Sequence, residues 1–399
     1  MDDELSKSLN PRLGLNLCLL GRVHMYQAVE EELMEKEKKK RRTIFPTSFS
    51  STSSKFNTSI FEEARRYMKY ATAVYGQAMI NAAEVDARGR LDGKVGRVTK
   101  ETISTHISVP AKDIVLLDIS KYDGNSNHLR HMLVVDHEHQ KVVLSLRGTF
   151  SLEEIVSDVA AFSREFCGGE AHSEMATMAE RVWAVAGPKV SSVLEENPGY
   201  ELILTGHSLG AGAACLVTIL VQNKKLLPRE QRIRCFAYSS PPVYTPIEFV
   251  PKSVQSTINF VHENDVVPYL SIQKVRKLFS SLLAVDTYAR KHMTKKEKYK
   301  VILGASEPPK DLIASVIEAE GKRLIPKKGA PTLYIPAEYT IWMKESPNEK
   351  ENGGTKYHYD LMNAREMAQR EIRVYPDMLV DHFPSRYEHA FDQLEIPYN

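Results

Sequence analysis

The chain has 399 residues, of which 42% are hydrophobic, so it is long enough to bury one large core or two modest ones. Its 53 basic and 51 acidic residues nearly cancel, and the overall charge therefore indicates no particular partner and no nucleic acid. The four cysteines, Cys18, Cys167, Cys215 and Cys235, form no Cys-x-x-Cys pair and no dense disulfide framework. Cys215 and Cys235 lie in apolar stretches and are predicted to be buried thiols.

The first 55 residues differ in composition from the rest and are predicted to form an N-terminal extension. Residues 30–42 are nearly all charged and end in five basic residues, and residues 47–59 are rich in Ser and Thr. This composition is typical of a solvated helix followed by a loose linker; the alternative is a basic segment that contacts anionic lipid. Residues 56–399 are then predicted to form the main domain.

The beginning of the sequence does not have the pattern of a secretory signal. It opens on three acidic residues within the first four, and its apolar piece, Leu13–Val23, is interrupted by Gly14, Asn16 and Gly21. No uninterrupted stretch approaches the roughly 20 apolar residues that a membrane-spanning helix requires. We therefore expect a cytoplasmic protein, either free or bound peripherally to a membrane.

The first elements of the main domain are a helix and three strands. Apolar and aromatic positions between Phe61 and Ala83 recur at helical spacing and predict a helix packed on the core. Strands are predicted at Ile114–Asp118, Met132–Asp136 and Val142–Leu146, the last two joined by a polar hairpin turn. His137 and His139 in that turn are residues of a metal-binding type, but without a third ligand they are expected to be solvent-exposed.

The next part of the chain alternates helices with short apolar strands. A helix is predicted over His172–Glu196, and strands at Leu202–Leu204, Arg234–Ala237 and Thr257–Val261. Such alternation predicts an α/β fold with a mainly parallel central sheet covered by helices on both faces.

A basic insertion, residues 272–330, interrupts this pattern. Between Lys274 and Lys328 there are 14 Lys and Arg residues against 6 Asp and Glu. After it, strands are predicted at Thr332–Ile335, Tyr339–Met343 and Glu371–Val374, with a polar loop over Ser346–Lys356. A terminal helix is predicted from about Ser385.

The most informative stretch is Gly206 to Gly210, which reads Gly-His-Ser-Leu-Gly between an apolar strand and an apolar helix. This is the Gly-x-Ser-x-Gly nucleophile elbow, in which a serine occupies a tight strand-to-helix turn and the glycines allow neighbouring backbone to approach. The pattern predicts Ser208 as a nucleophile. The alternative is a glycine-rich turn that merely packs a helix on a sheet.

A serine hydroxyl needs a base within hydrogen-bonding distance, and that base needs a carboxylate to hold it. In folds with this elbow the chain order is Ser, then acid, then His, each on a loop after a strand. Asp265 follows the Thr257–Val261 strand and is the preferred acid, with Glu263 as its rival.

Among the downstream histidines, His382 is the preferred base because it lies on a short loop before Phe383-Pro384. His358 and His389 remain alternatives; His262 is too close to the acid, and His292 lies in the basic insertion.

An oxyanion formed at the elbow needs hydrogen-bond donors already in place. The backbone N–H of Leu209 is one candidate, and Thr149, which ends a predicted strand in the run Arg-Gly-Thr, is the other. The alternative for Thr149 is an ordinary strand terminus.

These motifs resemble the class 3 lipases, and within that family the sn-1-specific diacylglycerol lipases. The resemblance covers residues from about 61 to 394 and rests on four ordered motifs, with a further similarity at Arg66-Tyr67-Met68 and Ala73–Gly76. The four motifs are Val143–Thr149, which is similar to the family's oxyanion strand, Thr205–Gly212 at the nucleophile, Asn264–Pro268 at the acid and Met378–Pro384 at the histidine. The chain departs from the family at residues 172–175, which read His-Ser-Glu-Met where His-Lys-Gly-Met is usual.

The resemblance implies an α/β-hydrolase fold and a serine lipase that cleaves diacylglycerol to monoacylglycerol and a fatty acid through an acyl-serine intermediate. It also implies a lid over Phe150–Phe162 and a regulatory role for the basic insertion. Alternatives with the same triad are a phospholipase A1 or a general carboxylesterase, and a further alternative is an inactive hydrolase fold used as an interaction module.

The resemblance also bears on cofactors and partners. No cofactor is expected to be required, and stimulation by calcium is suggested by the resemblance alone. The expected partner is a glycerolipid at a membrane or droplet surface, with contact to anionic lipid through the basic insertion. Animal diacylglycerol lipases carry a membrane-spanning bundle before the catalytic domain; none is expected here, so membrane access would be peripheral.

Overall fold

The apolar runs predicted as strands form the centre of a large sheet. The computed structural model describes residues 12–42, 59–88, 99–119, 129–148, 163–227, 231–321, 331–346 and 356–394. It divides into two compact units. The sheet unit comprises Thr58–Ser271, Lys328–Arg370 and Leu379–Asn399, and the helical unit comprises Met1–Asn57, Ile272–Lys327 and Glu371–Met378.

Eleven strands are present in the described part of the sheet unit. Their bounds are β1 (Ile114–Asp118), β2 (His131–Asp136), β3 (Lys141–Leu146), β4 (Ser163–Phe166), β5 (Gly169–His172), β6 (Glu201–His207), β7 (Ile233–Tyr238), β8 (Tyr244–Thr245), β9 (Thr257–His262), β10 (Tyr339–Glu345) and β11 (Tyr357–Met362). Eight of them form the main sheet in the order β1-β2-β3-β6-β7-β9-β10-β11, and β4, β5 and β8 form a small second sheet. The central pairs from β3 to β10 are parallel, and the pairs at both edges are antiparallel.

Helices lie before, between and after these strands. Those of the sheet unit are α2 (Ser59–Ala73), α3 (Gln77–Arg88), α4 (Lys100–Ile107), α5 (Ser173–Glu196), α6 (Leu209–Asn223), α7 (Pro251–Gln255), α11 (Ala364–Gln369) and α12 (Pro384–Gln393). Those of the helical unit are α1 (Leu13–Arg42), α8 (Ile272–His292), α9 (Lys295–Ile302) and α10 (Lys310–Gly321). No helix of the described residues combines the length and the apolar character needed to cross a membrane.

Helices cover both faces of the main sheet because its central strands alternate two sets of buried side chains. Leu144, Leu202 and Leu204 point to one face, where they share a core with the apolar residues of α5 and α6. The intervening residues meet α2 on the other face, where the hydroxyls of Ser145 and Tyr238 donate to backbone carbonyls of that helix. The predicted mainly parallel α/β fold is therefore confirmed.

The predicted helix over Phe61–Ala83 is two helices. The structure ends α2 at Ala73 and begins α3 at Gln77, and Gly76 between them has a φ of 104°. Most residues avoid this left-handed backbone region, whereas glycine enters it freely. The periodicity of the apolar residues continues across the break and does not reveal it.

Two of the predicted strands are wrong. Residues 332–335 contribute only an isolated bridge between Tyr334 and Tyr244. Residues 371–374 belong to no strand of the described chain; the Val374 N–H instead donates to the ring of His24. The edge position next to β10 is taken by β11, which the sequence analysis missed because its side chains are mostly polar or exposed. The predicted polar loop lies mostly outside the described residues.

The helical unit has its own apolar core. Leu19, Leu20 and Val23 of α1 are fully buried among side chains of α8, α9 and α10. The described part of the predicted N-terminal extension is therefore a helix that shares one compact unit with the basic insertion.

Candidate active site

Ser208 lies at the junction of β6 and α6, as the elbow motif predicts. Its φ of 61° and ψ of −130° are sparsely populated for a residue with a side chain. The turn is held by the Ser208 N–H, which donates to the Tyr238 carbonyl at 2.8 Å, and by the Ser208 carbonyl, which accepts from Ala211. The strained backbone therefore belongs to a well-anchored turn that fixes the serine.

The two elbow glycines are required by close backbone packing. A Cβ at Gly206 would lie 2.5 Å from the Gly210 carbonyl oxygen, and one at Gly210 would lie 2.3 Å from the Leu146 carbonyl oxygen. Real Cβ contacts are not this short, and neither neighbour is a flexible side chain. The end of β3, the end of β6 and the start of α6 can meet only without side chains at these positions.

The structure brings Ser208, His382 and Asp265 together. His382 Nε2 lies 2.9 Å from Ser208 Oγ, and its Nδ1 lies 3.0 Å from both carboxylate oxygens of Asp265. Asp265 follows β9 and Ser208 follows β6, so both stand at the carboxyl-end edge of the parallel strands, while His382 comes from the loop before α12. Ser208 and Asp265 are fully buried.

Asp265 is held as a carboxylate by its surroundings. Burial by itself would raise the pKa of Asp265, but the charge of His382 and hydrogen bonds from His382, Ser239 and Tyr387 keep that pKa below its ordinary value. The Tyr387 hydroxyl donates to Oδ2 at 2.6 Å, and the Val267 N–H donates to Oδ1 at 2.9 Å. An ionised Asp265 is suited to hold a His382 ring whose Nδ1 carries a proton.

Three residues that the sequence analysis did not single out also contact this cluster. Ser239 follows β7 at the same edge of the sheet, and its Oγ lies 3.0 Å from His382 Nδ1. Tyr387 belongs to α12 and connects Asp265 to the backbone N–H of His262, which donates to the tyrosine oxygen. Ser239 could have been predicted, because it directly follows a strand as Ser208 does. The sequence contains no comparable signal for Tyr387.

The third is His207, whose ring lies 4.7 Å from that of His382. Burial, followed by the charge of His382, lowers the pKa of His207 well below its ordinary value, so this ring is neutral. The Tyr75 hydroxyl lies 3.0 Å from its Nδ1. A neutral ring beside His382 packs against the imidazole without adding a second positive charge.

The rival residues have other partners. Glu263 accepts a hydrogen bond from the Glu345 N–H, and burial raises its pKa to about 7. His358 is exposed and lies 3.2 Å from the Ser346 hydroxyl, and His389 packs edge-on against the Tyr357 ring. The structure therefore brings Asp265 and His382, rather than these alternatives, to Ser208.

Of the two predicted oxyanion donors, one can be placed. Leu209 is the first residue of α6, where a backbone N–H has no acceptor within its own helix. Thr149 and the predicted lid, Phe150–Phe162, lie outside the described residues.

The two histidines of the turn between β2 and β3 have different surroundings. The His137 side chain is 52% exposed, and His139 Nδ1 lies 2.9 Å from an Asp136 carboxylate oxygen. Within the described ranges, no three His, Cys, Asp or Glu side chains are grouped so as to hold a metal ion. The predicted burial of Cys215 and Cys235 is confirmed.

Comparison with known families agrees with this geometry. Residues 143–275 match the sequence model of a family described as "Lipase (class 3)". This segment is similar to the class 3 lipases. The matched segment contains Ser208 and Asp265. His382 lies beyond the segment, and the fold brings it to Ser208.

The individual relatives have low sequence identity to this chain. Mouse diacylglycerol lipase-beta is 26% identical over 311 residues, which are 67% of this chain and 44% of the mouse protein. The secreted mono- and diacylglycerol lipase A of Penicillium cyclopium is 27% identical over 223 residues, covering 54% of this chain and 67% of the fungal one. The chain thus spans less than half the length of the mouse relative. Among solved structures, lipase II from Rhizopus niveus is 19% identical with a TM-score of 0.41, covering 55% of this chain and 77% of that chain.

Proposed function

We propose that this protein is a class 3 lipase that hydrolyses a fatty acyl ester of a glycerolipid, namely diacylglycerol, to monoacylglycerol and a free fatty acid. The observation that carries the proposal is the hydrogen-bonded series Ser208, His382 and Asp265 at a nucleophile elbow. The choice of acylglycerol is supported by relatives whose names state diacylglycerol lipase or mono- and diacylglycerol lipase.

In the first half of the reaction, Ser208 Oγ attacks the ester carbonyl carbon while His382 Nε2 takes the hydroxyl proton. The carbonyl oxygen becomes an oxyanion, which the Leu209 N–H and a donor at Thr149 stabilise. Losing one donor of this kind typically raises the barrier by about 2.7 to 4 kcal/mol. The bond to the glycerol oxygen then breaks, His382 returns its proton to that oxygen, and the acyl group remains on Ser208.

In the second half, water replaces the glycerol. His382 Nε2 takes a proton from the water as its oxygen attacks the acyl carbon, and the proton returns to Ser208 Oγ when the fatty acid leaves. Asp265 stays ionised and stabilises the imidazolium in both halves. Every proton transfer has a donor and an acceptor in Ser208, His382, water and the substrate, so the proposal assigns no cofactor to these steps.

We further propose that the substrate is met at a membrane or lipid-droplet surface in the cytoplasm. Diacylglycerol is almost insoluble in water and partitions into such surfaces.

The deciding experiment compares Ser208→Ala with Ser145→Ala, a matched removal of another buried hydroxyl. Ser208→Ala is expected to lower kcat/KM for diacylglycerol on the order of 10⁵-fold or more, because it removes the nucleophile. Ser145→Ala is expected to keep activity and to lose only stability. Full activity in Ser208→Ala, or failure of a fluorophosphonate probe to label the folded wild type, would contradict a serine mechanism.

The substrate is tested separately with acyl-labelled lipids. Release of fatty acid from diacylglycerol at a higher kcat/KM than from phosphatidylcholine or a short soluble ester is expected. A preference for phosphatidylcholine would assign a phospholipase A1, and a preference for the soluble ester a general carboxylesterase. Diacylglycerol labelled in one position at a time identifies which ester is cleaved.

A further inference from the structure

The short helix α9 presents a chemically unusual face to solvent. It begins with a capping box, in which the Thr294 hydroxyl accepts from the Glu297 N–H while the Glu297 carboxylate accepts from Thr294. Val301 is the one residue of α9 that is fully buried, at 2% exposure, and it anchors the helix to the core of the helical unit. The opposite side of α9 is therefore fixed toward solvent.

Two lysines and two large apolar side chains share that outward side. Lys296 lies three and four residues before Tyr299 and Lys300, and Leu303 lies four and three residues after them. This spacing places the four side chains on one helical side, away from Val301. Tyr299 is 58% exposed and Leu303 is 79% exposed, the highest value for a large apolar residue in the described chain. We call these four residues the α9 face.

The charge around the α9 face is strongly positive. Between Arg290 and Leu303 the chain has six Lys and Arg residues and a single acidic residue, Glu297. The Glu297 carboxylate, which also closes the capping box, offsets only one of these six positive charges. The chain as a whole is nearly neutral, so this excess is local.

We propose that the α9 face binds a lipid bilayer that carries anionic headgroups. Tyr299 and Leu303 insert at the level where headgroups meet acyl chains, since a tyrosine has an apolar ring and a polar hydroxyl. Lys296 and Lys300 lay their methylene stems on the apolar surface and keep their ammonium groups among the headgroup charges.

Charge complementarity selects this occupant. An exposed leucine beside lysines contributes little to binding a purely ionic partner, whereas a bilayer offers apolar and anionic groups at adjacent depths. The binding is independent of the proposed ester hydrolysis, because α9 contains none of the triad residues. It deepens that proposal by naming the surface on which the protein would meet lipid.

The test is flotation of the full-length Ser208→Ala protein with phosphatidylcholine vesicles, with and without phosphatidylserine. We expect binding to the phosphatidylserine vesicles that weakens strongly between about 0.1 M and about 1 M salt, as the Debye length falls from about 10 Å to about 3 Å. In the same background, Lys296→Gln/Lys300→Gln is expected to weaken the partition about fivefold for each lysine, hence roughly 25-fold for the pair.

Tyr299→Ser/Leu303→Ser is expected to lower the partition at least tenfold at both salt concentrations. The matched control is Ile317→Ser, which removes a 54% exposed apolar side chain from α10, where Glu318 and Glu320 are close in sequence. This control is expected to bind as the parent does. Circular dichroism and thermal unfolding verify that each variant is folded.

Equal partition of both double variants and the parent would overturn the proposal, as would binding that ignores both phosphatidylserine and salt. Sedimentation velocity is the companion measurement. Self-association that disappears in Tyr299→Ser/Leu303→Ser would assign the face to a second copy of the chain and overturn the lipid assignment. Hydrolysis of a soluble ester by the parallel variants with Ser208 intact reports on the proposed function separately, and is expected to remain unchanged.

Discussion

Asp265 and Glu263 lie two positions apart after the same strand, yet their pKa values shift in opposite directions. Burial raises the pKa of both carboxyl groups. For Asp265, the charge of His382 and three side-chain hydrogen bonds more than offset burial, so its pKa is lowered. For Glu263, burial outweighs the other interactions and raises the pKa to about 7. Their environments, rather than their residue types, therefore give the two groups different chemistry.

The first prediction separates the two carboxylates by activity. Asp265→Asn is expected to lower kcat on the order of 10⁴-fold, since an amide no longer stabilises the imidazolium or fixes the His382 tautomer. Glu263→Gln keeps an oxygen that accepts from the Glu345 N–H and is expected to retain esterase activity. The measurement is kcat/KM for one ester substrate with both variants. A comparable loss in both would contradict the assignment of the acid to Asp265.

The second prediction concerns His262, which is 2% exposed. Its Nδ1–H donates to the Asp381 carbonyl, its Nε2 accepts from Tyr357, and burial lowers its pKa from 6.5 to about 4. In the unfolded chain this histidine takes up a proton near pH 6.5 but the folded protein resists until about pH 4. Its contribution to stability is therefore present above pH 6.5 and is lost as pH falls through this window, by about 3 kcal/mol in total.

The measurement for His262 is urea unfolding from pH 8 to about pH 4. This range covers the interval between the unfolded and folded pKa values of His262, and the higher pH at which its contribution to stability is constant. His262→Gln is expected to show a shallower fall in unfolding free energy across that window than the wild type. His137→Gln, which removes an exposed histidine, serves as the control and should follow the wild type. Parallel curves for His262→Gln and wild type would disprove the expected linkage.

At the scale of elements, the junction of β6 and α6 fixes the nucleophile through backbone contact. Gly210→Ala places a Cβ 2.3 Å from the Leu146 carbonyl oxygen and 2.7 Å from the Arg147 carbonyl carbon. We expect a loss of about 3 kcal/mol or more, because rigid backbone must move on both sides.

The matched change is Gly212→Ala, two residues further along α6. Its nearest neighbours are side-chain atoms of Val243, Met175 and Pro241 at 2.9 to 3.3 Å, which can shift. We expect a cost of about 1 kcal/mol, partly offset by the better helix propensity of alanine. Thermal unfolding of both variants checks the prediction; equal losses would show that backbone proximity at Gly210 is not the cause.

The elements that the sequence predicted correctly are those whose own side chains are apolar. Strands β2, β3, β6, β7 and β9 are almost wholly buried, so their apolar runs were visible without the fold. β11 was not predicted because four of its six residues are not buried, so its sequence has no apolar run. It forms a strand by pairing with β10. Residues 371–374 have a strand-like sequence but contribute Val374 to a helical core instead.

The candidate site was predictable to the same extent. Ser208, Asp265 and His382 stand in local motifs at element ends, so chain order and strand position were enough to select them. Tyr387 and His207 act through contacts across the fold, and the sequence records neither the 2.6 Å contact to Asp265 nor the ring beside His382. Residues that are distant in sequence reach the site through tertiary packing, and the spacing of residues along the chain does not predict such contacts.

At the scale of the whole molecule, the helical unit is assembled from three separate stretches of the chain. Within it His24 is 1% exposed; its Nδ1 accepts from the Val374 N–H, and its Nε2 lies 2.8 Å from Glu320. The Glu31 carboxylate also pairs with Arg373 at 2.6 Å. Helix α1 therefore binds both the insertion helices and the segment Glu371–Met378, and a division of the sequence into consecutive domains does not describe this unit.

The last prediction tests whether α1 is an integral part of that unit. Leu20→Ala removes a fully buried side chain from the core shared with α8, α9 and α10, and is expected to cost about 2 to 5 kcal/mol. Leu33→Ala makes the same change on the same helix at a 58% exposed position and is expected to stay within about 0.5 kcal/mol of wild type.

Hydrogen exchange is the measurement of choice because two units need not unfold together. Faster exchange of the Val374 amide in Leu20→Ala, but not in Leu33→Ala, is expected, since that amide is protected by His24 on the same helix. Unchanged protection of Val374 in Leu20→Ala would mean that α1 is a dispensable extension after all.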